Sequence, residues 1–187
     1  ASPTIKNILV DQIIPGAHIN LRFHATVMAG AGESVIEVLE GTPFSNPLMR
    51  EWETLLSARR LRNPFITPIW NEIWLKHFGK SLQAKFILFR DLEGILTAIG
   101  AFSHLAEGGR QKGLILLGST DVCDYRDIII TPGKEEEVFK DLGRFFSGGT
   151  WEYLQLDGIS EFSPTFQFLP PLMQTFGFRV VREVEEV

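Results

Sequence analysis

The chain has a single cysteine, Cys123, among 187 residues. That excludes an internal disulfide and any metal site built from several thiolates, and it fits a reducing compartment. Long apolar runs are missing as well: stretches such as 114–117 and 128–130 fall far short of the roughly 20 residues a membrane helix needs. No secretory leader pattern opens the sequence, so no membrane insertion and a cytoplasmic location are expected. There is no basic surplus either. Lys and Arg number 18 against 23 Asp and Glu, a formal charge of −5 with a pI near 5.4. The long-range attraction that drives nucleic-acid binding is therefore absent, and no nucleic-acid partner is expected.

What remains is an ordinary globular composition. Hydrophobic residues make up 44% and charged residues 22%, which excludes disorder, collagen and coiled coil. A chain of this length can bury most of its apolar surface in one core.

Alternation of Ile19, Leu21, Phe23, Ala25 and Val27 with polar positions predicts a half-buried strand, and 34–40 a second one. Asn46 before Pro47 marks a helix start running to about Arg60, with Trp52, Leu55 and Leu56 inward. Thr67 and Pro68 open a second helix, on which Ile69, Trp70, Ile73, Trp74 and Phe78 recur at helical spacing until Gly79. Runs 83–90 and 94–104 read as a hairpin turning at 91–94, followed by a polar turn at 107–113 and strands at 114–117 and 127–131. A helix over 134–147 and a strand over 151–156 come next. The helix opened by Ser163 and Pro164 is expected to break at Pro170 and Pro171, and a last strand covers 178–185. This order predicts an α/β, α+β-type mixed sheet, mostly antiparallel and flanked by helices.

Three stretches carry a family resemblance. Trp52 and Leu55 precede Asn63, Pro64, Phe65, Ile66, Thr67, Pro68, Ile69 and Trp70, and then come Trp74, His77, Phe78 and Gly79. Leu117, Gly118 and Ser119 are followed by Asp124, Tyr125, Arg126 and Asp127. Residues 151–156 lead to Gly158, Glu161, Ser163, Pro164 and Thr165. In series, over about residues 35–182, these resemble the CelD-like acetyltransferases of the GNAT superfamily, linked to cellulose biosynthesis and related to FemAB-type transferases.

The resemblance implies a GNAT-like domain over 34–187, preceded by an extension, 1–33, with no counterpart in the family. It implies the N-terminal half of a two-half protein, whose partner is the missing C-terminal half or a second copy as a dimer. It also implies acyl transfer from acyl-CoA, such as acetyl-CoA, to an amine or hydroxyl of a small molecule or saccharide. In the family the second half binds that co-substrate, so no cofactor and no metal are expected in this chain. The alternative is a stand-alone binding module that recognises a saccharide or a protein partner.

GNAT enzymes grip the CoA pyrophosphate with backbone amides of a Gly-rich turn at a helix N-terminus. Here that position reads Pro132, Gly133, Lys134, Glu135, Glu136, Glu137. Three carboxylates favour the helix dipole themselves. They would repel a phosphate by about 1 kcal/mol per pair in water at a few ångströms. The run Arg110, Gln111, Lys112, Gly113 precedes a β-rich stretch rather than a helix, so it does not supply the turn either.

Candidate acceptor-binding residues are Asp124, Tyr125 and Asp127, which could hold an amine or hydroxyl or act as a general base. Aspartates also favour turns for their own backbone hydrogen bonds. Trp70 and Trp74, one helical turn apart, could stack on a sugar ring; their apolar neighbours equally fit a packed core. His77 and His104 have no companion that completes a triad or metal site. Asp124 beside Cys123 would raise rather than lower the thiol pKa. No residue is assigned as catalytic.

Overall fold

The computed structural model describes residues 18–24, 35–59, 63–80, 82–107, 110–119, 121–148 and 151–185. In chain order the elements are β1 (His18–His24), β2 (Val35–Glu40), α1 (Asn46–Ser57), a 3-10 turn (Pro64–Ile66), α2 (Pro68–Phe78), β3 (Ala84–Arg90) and β4 (Leu96–Glu107). Then follow β5 (Arg110–Leu116), β6 (Ile129–Ile130), α3 (Glu135–Gly148), β7 (Tyr153–Ser160), α4 (Pro164–Thr175) and β8 (Arg179–Glu185). They build a mixed α/β fold: one open, mostly antiparallel sheet ordered β2-β3-β4-β5-β7-β1-β8, with β6 paired to β4.

Both faces of the sheet are covered, because the central strands are apolar on both sides. On β3, Phe86 and Leu88 point into one core with Trp52, Leu55, Trp74 and Leu75 of α1 and α2. The alternate residues Ile87 and Phe89 point into the other, with Phe139, Leu142, Leu169 and Met173 of α3 and α4. The β3–β4 hairpin turns where expected. Asp91 Oδ1 accepts the amides of Glu93 and Ile95, and Gly94 takes the positive φ of 82° that closes the turn.

Helix starts follow the sequence signals with one shift. Thr67 caps α2, its hydroxyl accepting the Trp70 amide, and Ser163 caps α4 in the same way. At α1, however, Asn46 is the first helical residue and Ser45 the flanking one, with no side-chain cap; Pro47 alone fixes the entry. The inward face of α2 also differs from expectation. Trp74, Leu75, Asn71 and Pro68 are buried, while Ile69, Ile73 and Phe78 are about half or more exposed.

Three further elements depart from the sequence reading, and one agrees with it as far as it is described. The stretch 110–113, expected as turn, is strand: pairing with β4 carries β5 back to Arg110 despite its polar residues. The strand expected over 127–131 keeps only two ladder residues. The alternating run at the N-terminus pairs as β1 between β7 and β8, whereas Ala25 and Val27 lie outside the described residues. And α4 is unbroken through Pro170 and Pro171. An interior proline costs about 3 kcal/mol. Leu169 and Met173 are fully buried on the same helix, each contributing about 2 kcal/mol, and hold the turn against the sheet.

Candidate functional site

Strands β5 and β6 both run antiparallel to β4, β5 against its C-terminal half and β6 against Ala98 and Ile99. They are two halves of one line, interrupted by an excursion over 117–128. Leu117 N donates to Ala101 O where the chain leaves β4, and Thr131 N donates to Thr97 O where it has returned. Inside the excursion, Val122 N and Cys123 N donate to Ser119 O. The buried Arg126 reaches back to its base, where Nη1 donates to Leu116 O at 3.0 Å and Gly118 O at 3.1 Å. Those bonds tie the excursion shut and leave Tyr125 in the left-handed region, φ 53°.

The parallel pairing of β5 with β7 lasts only from Gly113 to Ile115. Past it β5 turns into the excursion, while β7 continues to Ser160 against β1. The sheet parts there, and a cavity of about 510 Å3 fills the parting. Its walls come from the end of α1 (Arg59), the turn at 63–66, the end of the excursion (Tyr125, Arg126, Asp127), Ile130, Pro132, Glu135 of α3, and the β7–α4 turn from Ser160 to Pro164. Most of the wall is apolar: Pro64, Phe65, Ile66, Ile130, Phe162 and Pro164.

Asp127 joins three of these walls. Its Oδ1 accepts the Ile128 amide at 2.9 Å and the Thr165 hydroxyl at 2.5 Å, and its Oδ2 accepts Arg59 Nη2 at 3.0 Å. The Ser163 hydroxyl lies 2.9 Å from both oxygens. With its side chain only 8% exposed, this carboxylate is spent on structure, and a general-base role has no lone pair to work with. Asn63, on the 63–66 turn, is engaged as well. Its Oδ1 caps the Phe65 amide and its amide group donates to Tyr125 O.

The carboxylates at the acidic start of α3 are each bonded locally. Glu135 Oε2 accepts the Gly133 amide at 2.8 Å, Glu137 pairs with Lys134 at 2.7 Å, and Glu136 pairs with Lys140 at 2.6 Å. The bond and charge of Lys140 hold the Glu136 carboxyl below the usual range. An incoming phosphate would meet the carboxylates of Glu135, Glu136 and Glu137 in that first turn.

Of the five residues singled out in the sequence, Tyr125 and Asp127 line the cavity. Asp124, Trp70 and Trp74 do not. Trp74 is buried in the α1–α2 core, and Trp70 stands edge-on to Phe65 at 5.0 Å with its Nε1 donating to Cys123 Sγ at 3.3 Å. Arg59 and Phe162 are wall residues the sequence did not mark, and it marked Glu135 only as a charge opposing phosphate. Each lies far along the chain from the others, and only the β7–α4 turn had a local signal, the capping pair Ser163 and Pro164.

His104 is away from this site. It is buried edge-on against Trp151 at 4.8 Å, with neither ring nitrogen hydrogen-bonded among the described residues. Among the described residues, too, no group of three or more His, Cys, Asp or Glu is placed to hold a metal ion, and no helix is long and apolar enough to cross a membrane. No protein-family model matches the chain, and no curated protein matches it.

Proposed function

We propose that this chain is an acyltransferase-type domain with a GNAT-like fold, and that the cavity in the parted sheet holds the acceptor, a small molecule with a largely apolar body. One observation carries the reading: an apolar cavity of about 510 Å3 opens where the parallel β5–β7 pair diverges, under a hydrogen-bonded frame centred on Asp127. Depressions of this kind, apolar with a few placed polar groups, are where small ligands bind. The resemblance of the 52–79, 117–127 and 151–165 stretches to CelD-like enzymes supports it from the sequence side, since each of the three contributes wall residues.

The acyl-CoA of a complete two-half protein binds elsewhere, in a second half or a second copy, because three carboxylates, Glu135, Glu136 and Glu137, crowd the first turn of α3. Calorimetry with acetyl-CoA tests this half of the proposal, and the expected outcome is no saturable heat. Amide-resolved NMR with a panel of small aryl and alkyl amines and alcohols tests the other half. Shifts should gather at Phe65, Ile130 and Phe162; shifts gathered at another surface, or none with any compound, reject the cavity as the acceptor site.

A second reading, a binding module for a protein partner, draws on one feature: Ile69, Ile73 and Phe78 are exposed on the outer side of α2. Size-exclusion chromatography of wild type against Ile73→Lys tests it. A concentration-dependent shift to larger size, lost in the variant, favours that reading.

A further inference from the structure

We propose that the occupant of the cavity presents a carbonyl oxygen, of an amide or a carboxylate, to the guanidinium of Arg59, with its apolar body against Phe65, Ile66 and Ile130. The inference rests on the reading of this cavity as the ligand site and adds what the site recognises.

The polar groups on the wall are not equally available. Asp127 is occupied by Ile128, Ser163, Thr165 and Arg59. The Ser163 hydroxyl is committed to Asp127 while also accepting the Thr165 amide. The Asn63 side chain is used at both ends. Arg59 is different. A guanidinium carries five N–H donors, and Arg59 gives one hydrogen bond, from Nη2 to Asp127. Its Nη1 is buried without a hydrogen-bond partner among the described residues, although the side chain as a whole keeps 15% exposure. Buried donors are nearly always satisfied. Nη1, however, is enclosed and out of a ligand's reach, as is Arg126 Nε on the same wall; Arg59 Nε is neither enclosed nor hydrogen-bonded among the described residues, and it is the donor left for a ligand.

Asp127 holds one arm of the guanidinium fork at Nη2, and Nε is the donor left open. A planar carbonyl or carboxylate oxygen is the acceptor that such a fork matches best. An ammonium head gives Arg59 like charge and no acceptor; a plain hydrocarbon leaves the donor unmet.

The test is a matched series titrated into the intact chain and followed by NMR: 3-phenylpropanamide, 3-phenylpropanoate, 3-phenylpropylamine and propylbenzene. The amide or the carboxylate, or both, should bind at least about tenfold more tightly than propylbenzene, the discrimination expected of one hydrogen bond to a charged donor. Only those two should move the Arg59 Nε–Hε signal. Which of them binds more tightly identifies the source of the oxygen. Arg59→Met should erase the preference while leaving propylbenzene affinity in place; should that variant not fold, the wild-type series decides alone. Equal binding of propylbenzene, or tightest binding of the amine, overturns the role of Arg59 and leaves the cavity as a ligand site. Binding of none of the four at the cavity overturns both.

Discussion

Asp127 and Ser163 sit 36 residues apart in the chain, yet the serine hydroxyl lies 2.9 Å from each oxygen of the aspartate. That contact joins the end of the excursion to the start of α4. The same carboxylate binds Arg59 at the end of α1, so one side chain fixes three walls of the cavity.

Asp127→Ala should therefore cost about 3 kcal/mol of stability, because it strands a largely buried arginine and removes the partner of two hydroxyls. Urea denaturation measures it. The variant should also lose ligand-induced shifts at Phe162 as the β7–α4 turn loosens. A loss below about 1 kcal/mol would mean the network is water-satisfied and does not hold the site.

Acid should weaken the fold in two stages. Burial first, and then the nearby Lys85 ammonium, push the His104 pKa below its ordinary 6.5, with Glu40 pulling the other way. A group that charges more readily in the unfolded chain favours unfolding once it begins to charge there. The stability its neutral form provides is complete above pH 6.5 and is lost as pH falls below that value through the folded-state pKa. In a lower window, Glu51 is held below its ordinary 4.5, chiefly by its hydrogen bond to Arg90, and that contribution is lost as pH falls below 4.5. Thermal melts from pH 8 to about 2.5 check both. His104→Gln should flatten the upper stage and leave the lower one; an unchanged profile would show that His104 is not its source.

The sheet was largely legible in the sequence, and the site was not. Alternation marked β1, a double-sided apolar run marked β3, and the Asp91–Gly94 turn fixed the hairpin, because each is a local pattern. The start of β5 at Arg110 was hidden because its first residues are polar and only pairing with β4 makes them strand. The exposure of Ile69, Ile73 and Phe78 was hidden because periodicity shows that a helix has an apolar side without showing what covers it. In the site, Tyr125 and Asp127 stood out as a cluster. Arg59 and Glu135 enter it through the meeting of α1, α3 and the excursion, which no spacing along the chain reports.

Pro171 is exposed within α4, where a residue with an amide would donate to the carbonyl four positions earlier. Pro171→Ala supplies that donor and removes the ring clash, against a loss of up to about 1 kcal/mol because the unfolded chain becomes less restricted. A net gain of about 1–2 kcal/mol is expected from urea melts. Pro170→Ala should gain less, since Pro170 is buried and alanine leaves a void.

The excursion itself makes the sharpest demand on a single position. Gly118 has φ 113°, a region side chains with a Cβ rarely adopt, and a Cβ placed there would lie 3.0 Å from Arg126 Cδ and 3.2 Å from Cys123 Sγ. Neither neighbour has room to yield: Arg126 is held by its two carbonyl bonds, one of them to Gly118 itself, and Cys123 is buried beside Trp70. Gly118→Ala should thus cost about 2–3 kcal/mol by combining backbone strain with displacement of the arginine that ties the excursion shut. Because Trp70 Nε1 contacts Cys123 Sγ, the same variant should change the tryptophan emission before global unfolding. An alanine variant with wild-type stability and emission would show that Arg126 does not depend on the backbone beneath it, and that the cavity wall from Tyr125 to Asp127 is held by Asp127 alone.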